Sequence, residues 1–242
     1  MKQVMTLFVS FMILTGTILA QKNIRDANAQ SRSGLKNFHA VQVSNGIDLY
    51  LTQSSEEAVA VSAATDEYRD KIITEVVDGV LKIYYEKKDS WNSGSNTGNK
   101  KLKAYVSVKN LDKLGASGGS DVSLESVIRS NKLSIAISGG SDLKGEIICD
   151  DLSLSASGGS DATLKGKATQ ARISASGGSD VDGYDLITDV CKVVSSGGSD
   201  VNITANKQMD ATASGGSDIH YRGNATATTS KSGSSDIRKV TN

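Results

Sequence analysis

Residues 138–161 read SGGSDLKGEIICDDLSLSASGGSD, a pentapeptide at each end and 19 residues from the start of one to the start of the next. Ser-Gly-Gly-Ser-Asp begins at Ser117, Ser138, Ser157, Ser176, Ser196 and Ser214, and a variant, Ser-Gly-Ser-Ser-Asp, begins at Ser232; the spacings are 21, 19, 19, 20, 18 and 18. A near-constant period of this size is the signature of a solenoid. Five, three and one residues before the first Ser stand Leu133, Ile135, Ile137; Leu152, Leu154, Ala156; Ala171, Ile173, Ala175; Cys191, Val193, Ser195; and Met209, Ala211, Ala213, with mostly polar residues between them. That alternation has period two, so each unit carries a half-buried strand. Directly after each Asp comes Val122, Leu143, Ala162, Val181, Val201, Ile219 or Ile237, the start of a second strand on the same core.

One unit of about 19 residues is therefore a strand, a Gly-Gly corner, a second strand and a polar return. It cannot bury its apolar face alone, but stacked units turn each column into a continuous sheet. The predicted fold is all-β, a right-handed single-stranded parallel β-helix rising about 4.8 Å per coil, with the hand taken from the crossover preference of parallel strands. At the corners the glycines serve where φ is positive or the neighbouring coil comes close. The complete absence of Pro fits a chain whose residues pair on both sides.

Outward from the repeats the pattern loosens. Val41, Val43, Ser44-Asn45-Gly46-Ile47-Asp48, Leu49 and Leu51 fit the same template, with Asn45-Gly46 at the corner and Asp48 in the Asp position. Asp48 and Asp121 are 73 positions apart, room for about four coils less insertions. Residues 38–116 thus read as irregular N-terminal coils, with a polar surface loop at 87–101, and 117–240 as the regular repeats, together one β-helix domain. Residues 21–37 read as a polar leader. Residues 1–20, with Lys2, an apolar run from Val4 to Leu19 and Ala20, have the layout of a cleaved signal peptide, too short for a spanning helix. Export to the periplasm, cell surface or exterior is expected, with no transmembrane segment after cleavage.

The segments "VQVSNGIDLYLTQ", "TEVVDGVLKIYYE" and "VSVKNLDKLGASGGSDV", followed by the recurring SGGSD, resemble the bacterial family labelled putative auto-transporter adhesin head GIN domain. The resemblance covers residues 38–240. It implies an exported β-helical domain, found mostly in Bacteroidetes-like bacteria and named for adhesion at the cell envelope. No translocator barrel follows the repeats in this chain, so the resemblance bears on the fold more than on the auto-transporter part of the label.

Chemistry is sparse. Lys plus Arg and Asp plus Glu number 27 each, so no net field draws nucleic acid or acidic lipid. The conspicuous feature is the row Asp48, Asp121, Asp142, Asp161, Asp180, Asp200, Asp218 and Asp236, which alternation turns outward. Stacked carboxylates repel unless N–H groups, cations or water compensate them. Acceptance of turn N–H groups beside the glycines is the expected compensation.

Calcium is the one cation the row suggests, because glycine-rich turns followed by Asp resemble the calcium-binding β-roll. That motif recurs every nine residues, and a single carboxylate column supplies few of the six to eight oxygens the ion takes. No cofactor is expected. A polysaccharide-degrading β-helix needs two carboxylates with different tasks. Eight similar stations do not offer them, and Lys144, Lys165, Arg238, His39 and His220 are scattered. The pentapeptide serines lack the setting of a nucleophile. Among the aromatics, Tyr84, Tyr85, Tyr105, Tyr184 and Tyr221 are dispersed, and Trp91 in the polar loop is the best placed for ligand contact.

The sequence-based reading is a non-enzymatic exported β-helix for adhesion or envelope binding, with a glycan or protein as surface ligand and an undefined oligomeric state. A carbohydrate-active β-helix is the alternative. Candidate ligand contacts are Asp121, Asp142, Asp161, Asp180, Asp200, Asp218 and Trp91. Cys149 and Cys191 fall in units two apart, beyond the reach of a disulfide, and are expected to be free.

Overall fold

The computed structural model describes residues 26–86 and 100–241; the expected signal segment, most of the expected polar loop and Trp91 lie outside them. Along the chain run β1 (Gln30–Arg32), β2 (Ala40–Ser44), β3 (Asp48–Gln53), β4 (Ala58–Ser62), the short helix α1 (Asp66–Asp70), β5 (Ile72–Val77), β6 (Val80–Tyr85), β7 (Lys103–Val108), β8 (Lys113–Ser117) and β9 (Val122–Leu124). The long coils follow as β10 (Ile128–Ser138), β11 (Leu143–Ser157), β12 (Ala162–Gly177), β13 (Val181–Gly197) and β14 (Asp200–Gly215), and the last coils as β15 (Asp218–Arg222), β16 (Thr226–Gly233) and β17 (Asp236–Lys239). The protein is a β-solenoid of about seven turns in parallel register.

Each predicted apolar column is a column in space. Leu133, Leu152, Ala171, Cys191 and Met209 stack in register, as do Ile135, Leu154, Ile173, Val193 and Ala211. All are at most 2% exposed. Each large aliphatic side chain so buried contributes about 1.5–3 kcal/mol. Side-chain size falls along the stack, from Ile137 through Ala156, Ala175 and Ser195 to Ala213. The spacing between successive pentapeptides is 21 residues at the first coil and 18 at the last two, with 19, 19 and 20 between. At the last coil the inward positions turn polar, with Thr229 beneath Ala211 and Lys231 beneath Ala213. The Lys231 side chain is exposed, and a charge on a terminal strand discourages edge-to-edge pairing.

The N-terminal part departs from the expected four coils. β2 and β3 lie directly on β8 and β9, Ser44 opposite Ser117 and Leu49 opposite Val122, so the corners of Asp48 and Asp121 are adjacent. On the far side of β2 and β3, β6 and β7 supply one more parallel layer. Beyond it the pairing turns antiparallel: β5 on β6, β4 on β7 and β1 on β4. The 73-residue separation therefore holds one coil and a lid. Part of the expected leader belongs to that lid, since Gln30–Arg32 is a strand. Asp26 fastens it, accepting hydrogen bonds from Ser62 Oγ at 2.7 Å and Tyr105 Oη at 3.0 Å, and the Ser62 bond leads in holding its carboxyl below the ordinary range. Both cysteines are free and buried; Cys149 shares a column with Ala168 and Cys191 with Ala171. Burial pushes their thiols up to about 11 and about 12.

Candidate functional site: the aspartate edge and the hydroxyl wall

The aspartates form an unbroken edge. The N–H of Asp142 donates to Oδ1 of Asp121 at 3.2 Å, and the same bond recurs from Asp161 to Asp142 (3.4 Å), Asp180 to Asp161 (3.2 Å), Asp200 to Asp180 (3.2 Å), Asp218 to Asp200 (3.3 Å) and Asp236 to Asp218 (3.0 Å). The compensation is thus between coils, through the next aspartate's own N–H, and not within the glycine turn. Two unit charges 4 Å apart in water repel by about 1 kcal/mol, whereas a hydrogen bond to a charged acceptor contributes about 1.5–3 kcal/mol, so the ladder holds without a cation. Its ends are charge-matched. Lys103 pairs in register with Asp48, and Lys231 and Arg238 reach Asp236 at 3.3 and 3.6 Å. Burial, then the charge of Asp121, pushes the Asp48 carboxyl above its ordinary range, against the pull of Lys103. Lys231 leads in holding Asp236 low. Among the described residues no group of three or more His, Cys, Asp or Glu side chains is arranged to hold a metal ion.

Beside this edge runs a ladder that sequence reasoning missed. The second Ser of every pentapeptide points inward: Ser120, Ser141, Ser160, Ser179, Ser199 and Ser217 are fully buried and Ser235 is nearly so. The signal was available, because period two across Asp121 puts Ser120 and Val122 on one side. These hydroxyls bond backbone groups, as in Ser120 N–H to Ser141 Oγ at 3.0 Å, and Ile47 takes the position at the first corner, where its N–H donates to Ser120 Oγ at 3.1 Å. They are corner fasteners with no base beside them.

The remaining sequence candidates are dispersed. Lys165 pairs with Glu146 at 3.4 Å and His39 with Asp112 at 2.9 Å, while His220 makes no hydrogen bond or ion pair with Asp218. Tyr50 stacks on Tyr105 with centroids 5.2 Å apart, and Arg222 covers the Tyr184 ring at 3.9 Å.

Two surface hollows interrupt the walls. One, about 400 Å³, lies on the outer face of the layer formed by β6, β2, β8 and β10, where Gly115 and Ala136 leave a trough beside Gln42, Asn45, Lys82 and Tyr84. The other, about 350 Å³, lies over Gly145, with Lys144, Lys165, Asp182 and Asp185 around it. Past the first hollow the wall carries hydroxyls, Ser138, Ser157, Ser176, Ser196, Ser214 and Ser232 in one unbroken column and Ser155, Ser174, Thr212 and Ser230 in the next, where the exposed Val194 interrupts them between Ser174 and Thr212. No sequence signal joined the trough residues, which come from four separate segments.

Residues 37–225 match the model of the family described as putative auto-transporter adhesin, head GIN domain. Among solved structures the chain is similar to a putative adhesin from Bacteroides fragilis (TM-score 0.79, 22% identity, covering 89% of this chain and 98% of that one). It is also similar to a putative lipid binding protein from Parabacteroides distasonis (0.68, 21%, 89% and 98%) and to a putative adhesin from Parabacteroides merdae (0.69, 18%, 89% and 98%). At these identities the likeness establishes the fold. None of the curated proteins matches. The family match spans the irregular layers and the repeats alike: this chain belongs to the putative auto-transporter adhesin head GIN domain family.

Proposed function

We propose that the protein is an exported, non-enzymatic binding protein whose walls contact a cell envelope or another surface. The observation that carries this reading is the uniformity of the aspartate edge. Six successive carboxylates accept the same inter-coil N–H bond, so no two are set apart as acid and base. An exported or surface location agrees with the family, whose description names an auto-transporter adhesin head. Among the described residues no helix is long and apolar enough to cross a membrane. The names printed for two similar structures, an adhesin and a lipid binding protein, both denote binding.

A polysaccharide-degrading enzyme would place its chemistry in the hollow of Lys144, Lys165, Asp182 and Asp185. The test is a glycan and envelope-fraction binding screen of the protein from residue 21 onward, run beside assays for released reducing ends and unsaturated sugars. Retention without product is the expected result. Product formation that is lost in Asp182→Asn or Asp185→Asn would replace this reading with the enzymatic one.

A further inference from the structure

We propose that the trough beside Tyr84 is a binding subsite for an acidic polysaccharide, whose chain continues along the hydroxyl wall parallel to the solenoid axis. This rests on the binding-protein reading above and gives that reading its ligand class.

Backbone pairing rules out the commonest mode of peptide capture here. β2 is paired on both sides, with β6 and with β8, and β8 with β2 and β10, so the trough offers no free strand edge to an extended peptide. Recognition must come from side chains. Those present are a half-exposed aromatic ring, two exposed amides, serine hydroxyls and one ammonium group, the inventory that suits a hydroxylated ring. Tyr84 Oη donates to Glu75 at 3.3 Å, which fixes the phenol while its ring borders the trough. Ser44 Oγ donates to the side-chain oxygen of Asn45 at 3.2 Å, which leaves the Asn45 amide N–H groups for a ligand. Gly115 matters by its size. A Cβ there would stand 3.3 Å from Cγ of Gln42, so glycine lets Gln42 lie into the floor of the hollow.

Charge decides between neutral and acidic sugars. The chain carries no net charge, yet the outward columns of this wall hold Lys82, Lys113, Lys132, Arg172 and Lys192 against Glu75, Asp151 and Asp210. Arg172 and Lys192 are engaged with Asp151 and Asp210 at 2.9 and 3.5 Å, whereas Lys82, which stands opposite Glu75 in register, Lys113 and Lys132 form no ion pair within 4 Å among the described residues. All three lie on β6, β8 and β10, strands that form the trough. Away from it the column from Ser138 to Ser232 repeats a hydroxyl once per coil, about 4.8 Å, a step comparable with one pyranose residue. A linear polymer can thus present one sugar per coil in register.

The test uses equilibrium binding of the protein from residue 21 onward to polygalacturonate oligomers, with neutral dextran oligomers and a single-stranded DNA oligonucleotide as comparison probes. Polygalacturonate is expected to bind, more weakly as salt rises, and better than dextran. Lys82→Gln and Ala136→Glu are each expected to weaken it roughly tenfold or more, the size of one lost charge-assisted contact. Ala136 is exposed, so its replacement leaves the melting temperature unchanged and separates loss of the site from loss of the fold. Unaltered polygalacturonate binding in both variants overturns the subsite and leaves the binding-protein reading standing. Preference for dextran or DNA, or no binding to any probe, overturns the ligand class. Release of cleaved sugar overturns the reading on which the inference rests.

Discussion

The first three SGGSD corners and the later ones share a sequence and differ in structure. At 118–119, 139–140 and 158–159 both glycines have positive φ, between 66° and 77°. At Gly177, Gly197 and Gly215 only the first does, at 78–82°. The hydrogen bonds between corners reverse with this change. In the early set an N–H donates forward to the next coil, as from Gly119 to the Gly139 carbonyl and from Gly139 to that of Ser157; in the late set it donates backward, from Gly198 to the Gly177 carbonyl and from Gly216 to that of Gly197, both at 2.7 Å. The serines follow. Ser120 N–H donates to Ser141 Oγ in the coil ahead, whereas Ser217 Oγ donates to the carbonyl of Ser195 in the coil behind. A Gly-Gly pair thus allows two corner geometries, and each corner adopts the one its neighbours have set.

Three alanine substitutions break this comparison most directly. In Gly197→Ala the new Cβ would stand 2.7 Å from the Gly177 carbonyl oxygen at a φ of +82°, so steric conflict adds to left-handed strain and a loss of about 3 kcal/mol or more is expected. In Gly159→Ala the φ is +77° but nothing lies within 4 Å, and only the left-handed cost of about 1–2 kcal/mol remains. Gly178, the equivalent second glycine of a late corner, has open space and no positive φ; Gly178→Ala is expected between neutral and about 1 kcal/mol stabilising. Urea denaturation of the three variants checks the order, and equal losses at Gly159 and Gly178 would show that the corners are alike.

Ser141→Ala comes next. It leaves the buried Ser120 N–H without its acceptor, at a cost of about 1–3 kcal/mol by the same measurement. For the thiols, burial and the raised positions of Cys149 and Cys191 lead to slow alkylation of the native protein near pH 8 and to two labelled sites after denaturation without reductant, read by mass spectrometry. The smallest effect belongs to Asp48. Its pKa is raised on folding, so the folded state binds the proton more tightly than the unfolded one. The resulting penalty is full above the folded pKa and disappears below the unfolded value near 4. Asp48→Asn should raise the melting temperature slightly at pH 7 and not at pH 3.

The repeat made the regular coils readable because one alternation recurs with little change, so Leu133 through Met209 could be placed in a column before any contact was known. The buried serines were passed over because a hydroxyl reads as surface; only parity with Val122 places Ser120 inside. The partner of each Asp was also missed, since the bond crosses coils about 19 residues apart while turn chemistry directs attention to near neighbours. At the N-terminus, chain distance was taken as stacking distance. Leu49 and Leu51 instead pair with Val122 and Leu124, the strand whose inward residues match theirs. The trough left no trace in the sequence, because Gly115 and Ala136 gain meaning only when Gln42 and Lys82 lie alongside.

The insertion of β2 and β3 between layers that are made later in the chain has a kinetic consequence. Successive regular corners are 18–21 residues apart, so each coil can settle on the one before it as a local event. The coil of Asp48 must wait for that of Asp121, 73 residues onward, and closing the longer span costs about 1 kcal/mol more in chain entropy. A chain emerging N-terminus first can lay residues 40–53 on β6 and β7 as those strands appear, but their other edge stays open while the next 60 or so residues are synthesised, about 3–12 s at ordinary elongation rates. Whatever handles the nascent polypeptide meets the apolar "VQVSNGIDLYL" strand pair with one edge open until the coil of Asp121 arrives.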